Sequence, residues 1–497
     1  MRWDVAVVGG GPVGMFLAAE LRRADVSVAV FERRQAGASA APDGGDRGLQ
    51  ARTLQLLRMR GLLDPVRAQA AATGGAGIAG FVGSPGSAAP ADLAELVDSW
   101  GTSRFKGHFA MLALVDRDGE LSTVPHQLAV WQDRLVEVLA QRARERGARL
   151  HHDSEVVGVT DRGNHVSLEL TDGTEHQARW VVGCDGGHGV VRRKFSFDST
   201  APAMVVLIAD VSLEPTGAVP PGVHRTPGGL MFVNPPPGDI VLVEFDGPTL
   251  DARGPVSREE FVAALRRISG TDVTVTAFRG AVRVTDHARV ARQYRRGRLL
   301  LAGDAAHLHS PMGGQGLNLG LQDAASLGWR LARIATGAEQ TASHQAGSHR
   351  PTSGQQTFDQ GESGQVAPDG WLPGDQLLAD YERERQAAAQ LVLRNTLAQS
   401  ALLRTDAHSS ALREIVAELI ELPDAKLHLA SMVAGLSTRI TAAPGSHPLV
   451  GTFAPPAALD ALSAQAGSAD AVEPVTVWVD GLPGLVVRPD GYVESVA

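Results

Sequence analysis

One short stretch limits the fold more than any other: Gly9-Gly10-Gly11-Pro12-Val13-Gly14, directly after the apolar, β-branched run Val5–Val8. In this G-x-G-x-x-G spacing each glycine has its own task. Gly9 permits a tight turn, Gly11 lets the backbone approach a pyrophosphate, and Gly14 permits close helix–strand packing. Behind the turn, Leu17, Ala18 and Leu21 share one face, which predicts a helix over Val13–Arg23, and Val26–Phe31 predicts a second strand. Such a βαβ unit implies a parallel sheet with a right-handed crossover. The helix start at Pro12 and Val13 offers unpaired N–H groups and a positive dipole end to phosphates. Glu32 closes the second strand 18 residues after Gly14, with Arg33 next to it. A carboxylate there can accept hydrogen bonds from a ribose. With all these parts in register the reading is a dinucleotide site; the alternative is a glycine turn that holds no ligand.

A second constellation repeats the logic far along the chain. The apolar run Leu299–Ala302 ends in Gly303-Asp304, and Pro311-Met312-Gly313-Gly314-Gln315-Gly316-Leu317-Asn318 follows before a helix predicted over Leu317–Ile334. Asp304 can bind a polyol chain. Glycines before a helix aim backbone N–H groups at an electron-rich edge, which suits a flavin, whose reduced ring carries negative charge on its pyrimidine side. Alone, this stretch also reads as a phosphate loop or an empty turn; paired with the first motif it points to one shared ligand.

The remaining sequence sets limits. At about 100–200 residues per domain, 497 residues suggest several domains. A net charge of −9 argues against nucleic acid as the main partner. The single Cys184 excludes an internal disulfide framework and a redox cysteine pair, and fits a reducing, cytoplasmic setting. No signal peptide and no membrane-spanning run is read. Further helices are predicted at residues 50–63, Gln132–Arg146, Arg258–Ser269 and through 375–440, and strands near Arg149–Thr160, Val166–Leu170, Ala178–Val182, Met204–Val211, Leu230–Val233 and Ile240–Phe245. Residues 72–102 read as loops, and 337–374, low in hydrophobics, as a disordered loop.

Together, Gly9–Gly14 and the stretch Leu299–Ala332 resemble the class A flavoprotein aromatic hydroxylases. Trp180-Val181-Val182-Gly183-Cys184-Asp185-Gly186-Gly187 is similar to a third family motif, near both FAD and NAD(P)H. Arg47-Gly48-Leu49-Gln50-Ala51-Arg52-Thr53 resembles the branch acting on aromatic polyketides. The resemblance covers residues 3–335 well and runs on more loosely through Tyr381-Glu382-Arg383-Glu384-Arg385. It implies an α/β, para-hydroxybenzoate hydroxylase-like fold: a Rossmann-like FAD-binding domain (1–72, 103–200, 280–375) with an inserted antiparallel-sheet substrate domain (73–102, 201–279). A helical segment (376–440) and a shortened thioredoxin-like C-terminal region (441–497) complete it. By position, Arg47 would contact the pyrophosphate–ribityl region, Gln132 would sit beside the flavin, Asp185 would lie in the third motif, Asp304 would bind the ribityl chain, and the Gly314–Asn318 backbone would meet the pyrimidine edge. Arg52 is carried over as a candidate catalytic residue where flavin and substrate meet; a surface helix charge is the other reading. Trp131 stands where the family often has Pro, and Met312 where it has a small residue.

The function so implied is an FAD-dependent monooxygenase that consumes O₂ and a transient NADPH or NADH to hydroxylate a polycyclic aromatic substrate, as a monomer or homodimer, with no metal. Baeyer–Villiger oxygenation on the same fold is the alternative, and a flavin-binding protein without turnover is a third. Met231, Phe232 and Phe245 are apolar pocket candidates that core packing explains equally. His307 and His309 are read as packing or loop residues before proton shuttles, Cys184 as a small buried residue, and Arg192-Arg193-Lys194 as a solvated basic run or a nicotinamide phosphate contact.

Overall fold

A computed structural model describes the chain except residues 1, 39–45, 73–103, 122–126, 216, 234–238, 249, 251–253, 338–373, 441 and 465–472. The loops read at 72–102 and 337–374 fall almost wholly outside the described residues.

The first strand, Arg2–Val8, lies inside a parallel sheet, between Glu175–Gly183 on one side and Val28–Phe31 on the other. Leu299–Leu301 extends the sheet beyond Glu175–Gly183, and Arg149–His151 beyond Val28–Phe31. These strands are apolar throughout, as strands buried on both faces are. Val5, Ala6, Val7, Val181, Val182 and Leu300 are fully buried. The register aligns Val8 with Gly183 and with Phe31, and Gly183 with Leu301. All four strands therefore end at one edge, where Gly9, Glu32, Cys184 and Ala302 leave the sheet. Ligands of open α/β sheets bind outside such carboxyl ends.

Helix Pro12–Leu21 packs on helix Gln315–Thr336, and this contact brings the two glycine motifs together. A Cβ on Gly320 would lie 2.7 Å from the Val13 side chain, and one on Gly303 3.0 Å from it, so Val13 fits only because both residues are glycine. The single strand read at Arg149–Thr160 is two, Arg149–His151 and Val156–Asp161, separated by Asp153 with φ +54°.

A second, antiparallel sheet has the order Gly222–Thr226, Gly229–Val233, Asp239–Phe245, Met204–Glu214, Thr274–Thr285. Its faces follow the two-residue period of strands. Val205, Leu207, Met231, Val233, Ile240 and Leu242 pack under helix Arg258–Ser269. That helix forms where its sequence predicts it: Ser257 caps the Glu260 N–H at 3.1 Å, and Gly270 ends it with φ +67°. The opposite face, with Val206, Leu230, Phe232, Val241 and Val243, turns to a cavity.

The segment read as helical over 375–440 is three helices, Asp375–Leu403, Ala407–Ile420 and Pro423–Val433. Beyond them, helix Pro456–Ala464 and the antiparallel strands Val475–Val477, Leu485–Val487 and Val493–Val496 form a small unit with its own core. A thioredoxin-like fold also requires a parallel pair with a helical crossover; the described residues here pair only antiparallel, so that expectation is not confirmed. Among the described residues, no helix is long and apolar enough to cross a membrane, and no group of three or more His, Cys, Asp or Glu could hold a metal.

Candidate active site

At the carboxyl edge of the parallel sheet a cavity of about 1290 Å³ runs from the first glycine turn, past the second, to the apolar face of the antiparallel sheet. Its first end is built by the N-terminal βαβ unit. Gly9 has φ +106°, and a Cβ there would stand 2.3 Å from the Cys184 carbonyl oxygen, so no other residue fits the turn. A Cβ on Gly14 would meet the Gly9 carbonyl oxygen at 2.0 Å. Around Gly11, by contrast, a Cβ would meet nothing within 4 Å: it borders open cavity, as the backbone approach to a pyrophosphate requires. Helix geometry leaves the Val13 and Gly14 N–H groups without intrahelical acceptors. Pro12, at the first helical position, has no N–H to satisfy.

Glu32 lines the same end, but its carboxylate is already engaged. It accepts from Gly10 N–H at 2.6 Å, from Arg34 N–H at 2.9 Å and from the Arg34 guanidinium at 2.8 Å. Burial opposes its charge, yet these bonds outweigh burial and hold the carboxyl below the usual range. Arg33 lines the cavity, while the neighbour that grips Glu32 is Arg34, a partner the sequence reading missed.

In the middle stretch, strands Asp46–Leu49 and Leu128–Trp131 pair antiparallel, and this brings together two residues 85 apart in sequence. Arg47 Nε donates to Gln132 Oε1 at 2.9 Å, and both line the cavity. Trp131, in place of Pro, still leaves Gln132 at the first position of its helix. Asp185 also faces the cavity; one carboxylate oxygen accepts from Val191 N–H at 2.7 Å, while the other is buried without a partner. Burial raises its pKa, and the Val191 N–H works against that rise. Cys184 is half-buried in the cavity wall, and desolvation pushes the pKa of its thiol up.

The second glycine turn supplies the other side. Helix Gln315–Thr336 starts two residues earlier than its periodicity predicts, with Gly314 in left-handed geometry (φ +59°) before it. The Gln315, Gly316 and Leu317 N–H groups then lack intrahelical acceptors, and all three residues line the cavity with Pro311 and Gly314. A 22-residue helix presents its positive dipole end here; at about 0.3–2 kcal/mol for a negative partner, it favours an anionic ring edge. Asp304 is exposed to the cavity, and desolvation by the surrounding wall raises its pKa against the pull of His307, Arg192 and Arg47. A Cβ on Gly316 would lie 3.4 Å from His309 Nε2 and 3.8 Å from Asp304 Oδ1, so both acceptors flank one point above the helix start. His309 Nδ1 faces the Ser310 carbonyl at 2.8 Å, which places the proton of the neutral ring there. Its Nε2 is then an acceptor, buried and without a partner, and burial lowers the pKa to about 4. Two acceptors over a ring of N–H donors suit the hydroxyls of a polyol chain beside an anionic heterocycle. The donors and acceptors present fit the pyrophosphate, the polyol chain and the ring edge of FAD.

Gly14 and Gly303 shape the turns from behind, outside the cavity wall. Several residues stand elsewhere than their sequence reading placed them. Asn318 does not meet the cavity: it accepts from Gln50 N–H at 2.8 Å and donates to the Gly48 and Gly314 carbonyls at 2.8 and 2.9 Å, stitching the Arg47 strand to the helix start. Nor is Arg52 at the site or at the surface. It is 2% exposed, with its guanidinium 3.6 Å from the Phe453 ring centre and 4.2 Å from that of Tyr492, under the C-terminal unit. Of the apolar candidates Phe232 lines the cavity, Met231 packs on the opposite sheet face and Phe245 stands outside the wall. Arg192 is not a solvated cation either: it is 3% exposed and donates to the Asp304 and Ala305 carbonyls at 2.8 and 2.7 Å, fixing the turn. Arg193 lines the cavity.

What holds the second turn was not read from the sequence. Buried Asp323 accepts from Gly303 N–H at 3.0 Å, from Arg385 at 2.6 Å, and pairs with His307 at 2.6 Å. His307 is thus a structural residue. Tyr381 donates to the Leu301 carbonyl at 2.7 Å, and Glu382 accepts from Tyr294 and Arg295 N–H groups. The motif Tyr381–Arg385 was the available signal: it is the back brace of the Gly303–Ala305 turn.

Comparisons with known proteins agree with this geometry. A family model described as FAD binding domain matches residues 2–360. The chain is 32% identical to 12-dehydrotetracycline 5-monooxygenase/anhydrotetracycline 6-monooxygenase of Streptomyces rimosus, over 99% of this chain and 95% of that one. It is 32% identical to a rifampicin monooxygenase of Streptomyces venezuelae, over 90% and 82%. The structure of OxyS anhydrotetracycline hydroxylase from Streptomyces rimosus superimposes with a TM-score of 0.72 at 30% identity, covering 100% of this chain and 96% of that one. The chain belongs to the FAD binding domain family and is an FAD-dependent flavoprotein monooxygenase.

Proposed function

We propose that the protein hydroxylates a polycyclic phenol of the aromatic polyketide class, with NADPH or NADH and O₂ as co-substrates. The observation that carries this reading is one continuous cavity, in which a cofactor trench opens without a break onto a largely apolar sheet face. Bound flavin would take two electrons from NAD(P)H and, with O₂, supply one oxygen atom to the substrate and one to water.

The chain's own residues bind, orient and dry. Gly11 and the N–H groups after Pro12 would take the pyrophosphate, Asp304 and His309 the polyol, and the N–H groups of Gln315–Leu317 the pyrimidine edge. Preorganised donors at a developing negative charge are worth more in a water-poor site than in bulk. Val206, Leu230, Phe232, Val241 and Val243 offer an apolar wall, with Asp210 and Asp239 at its margin, which suits fused rings. The test is NAD(P)H oxidation by the FAD-loaded protein with and without polycyclic phenols, and product NMR. Substrate-stimulated oxidation with one oxygen inserted into a ring C–H supports the reading. A lactone or ester product would move the assignment to Baeyer–Villiger chemistry, and no stimulation across the panel would remove it.

A further inference from the structure

Strands Phe105–Phe109 and Leu112–Val115 form an antiparallel hairpin closed by Ala110 and Met111. Both residues have positive φ, +51° and +67°. Two left-handed residues in a two-residue loop make a type I′ turn, the geometry for which Asn-Gly is preferred, because a Cβ crowds the following carbonyl. Ala and Met offer no such relief. The turn is pinned from outside. Buried Gln399 accepts from the Ala110 N–H at 3.0 Å, buried Arg413 donates to the Ala110 carbonyl, and the Met111 N–H donates to His108 Nδ1 at 3.3 Å. Gln399 and Arg413 come from two different helices. Strain of this kind persists only where the surroundings over-determine it, and it gathers at binding sites.

The Met111 side chain is in the cavity wall. With Met312 it packs against the apolar cluster that holds Val206, Leu230, Phe232 and Val243, the residues of the sheet face. A thioether adapts to aromatic surfaces and attracts them. We propose that the Ala110–Met111 turn is a specificity device, whose strained backbone holds the Met111 thioether against a fused-ring substrate and so selects which ring systems fit. This rests on the aromatic-substrate reading of the cavity.

The experiment uses the FAD-loaded full chain and three probes of growing size: 1-naphthol, 1-hydroxyanthraquinone and 6-hydroxytetracene-5,12-dione. Binding is read from the change in flavin absorbance, and stability from the thermal midpoint. Ala110→Gly, which accepts the left-handed backbone without burying an amide in this apolar cluster and keeps Met111, is expected to hold or raise the midpoint. Met111→Gly is expected to weaken the four-ring probe about fivefold or more while the two-ring probe stays within about twofold, and Met111→Leu to restore most of the loss. A midpoint lowered by Ala110→Gly, or equal affinities of wild type and Met111→Gly for every probe, overturns the proposal. If none of the probes perturbs the wild-type flavin, the aromatic-substrate reading itself fails, and this proposal with it.

Discussion

Arg385→Met tests whether the second glycine turn is held by charge. Arg385 Nε donates to Asp323 at 2.6 Å, and its other end reaches the Leu319 carbonyl at 3.3 Å. Both side chains are almost completely buried, at 2% and 0% exposure. Burial works to raise the Asp323 pKa, but His307 and Arg385 outweigh it and hold the carboxyl below its ordinary value. Removing Arg385 leaves that carboxylate short of its guanidinium in a dry interior. Breaking one side of a buried pair costs about 3–5 kcal/mol. At roughly 2–4 °C per kcal/mol, the FAD-binding part should melt roughly 6–20 °C lower. The sign with pH is fixed. A carboxyl held low contributes stability above its unfolded pKa and loses it as pH falls through the folded pKa. In the variant, Asp323 takes up a proton more readily, so the deficit against wild type should shrink as pH falls toward 5. Because Asp323 also accepts from Gly303 N–H, the variant should bind FAD more weakly. The double variant Arg385→Met/Asp323→Asn, with no buried charge left over, should regain part of the loss. Scanning calorimetry and FAD titration at pH 7.5 and 5.5 decide. An Arg385→Met protein that melts within about 2 °C of wild type and binds FAD equally well would refute the reasoning.

Gly14→Ala should abolish retention of FAD through gel filtration, since its Cβ would fall 2.0 Å from the Gly9 carbonyl oxygen; a yellow variant would show that the turn can give way. Asp304→Asn should divide stability from binding. A carboxyl whose pKa is raised by burial contributes stability below its unfolded pKa and loses it as pH rises through the folded one. The apo variant should therefore melt above apo wild type at pH 7.5 but not near pH 4, while FAD affinity falls about 10–100-fold, as for a hydrogen bond to a charged group. Arg52→Met should leave turnover and the flavin spectrum within about twofold of wild type, yet loosen the C-terminal unit by about 2 kcal/mol, the worth of a desolvated cation–π contact; limited proteolysis reads the difference.

The parts of the site that are local in sequence were legible. A glycine turn carries its reason within six residues, and its strand and helix lie on either side, so Gly9–Gly14 and Gly313–Leu317 could be read without a fold. Parity could not. Along Leu230-Met231-Phe232, neighbouring residues point to opposite faces, and only the register places Phe232 in the cavity and Met231 under helix Arg258–Ser269. Arg52 and Asn318 mislead for a related reason. Each sits near a glycine-rich or motif-like stretch, but its partners are distant: Phe453 and Tyr492 for Arg52, Gln50 and Gly48 for Asn318. The strand Thr274–Thr285 and the Phe105–Val115 hairpin were not read as elements, since both owe their form to cross-strand pairing.

The buried charges that gather around residues 488–490 make better sense as fixers of position than as sources of stability. Glu20 takes Arg23 at 2.9 Å and Arg60 at 2.7 Å, and Arg60 also donates to the Pro489 carbonyl. Glu384 joins Arg330 at 2.7 Å and Arg488 at 2.9 Å, and Arg488 continues to Asp490. Desolvating so many charges returns little net free energy, and apolar residues of equal volume would serve stability as well. What apolar residues could not supply is direction. Glu20 sits on the first nucleotide helix, against which a Cβ on Gly328 of the second glycine helix would stand at 2.6 Å. Arg330 is on that second helix, and Glu384 is on the helix whose Tyr381 and Arg385 brace the Gly303–Ala305 turn. Residues 488–490 thus pair directly with the second glycine helix (Asp490 with Arg330, 3.6 Å) and with the bracing helix (Arg488 with Glu384), and reach the first nucleotide helix through Arg60 and Glu20. The distance between the two glycine turns must match a cofactor gripped at both ends, so a segment with no residue in the cavity wall fixes the geometry on which the cavity depends.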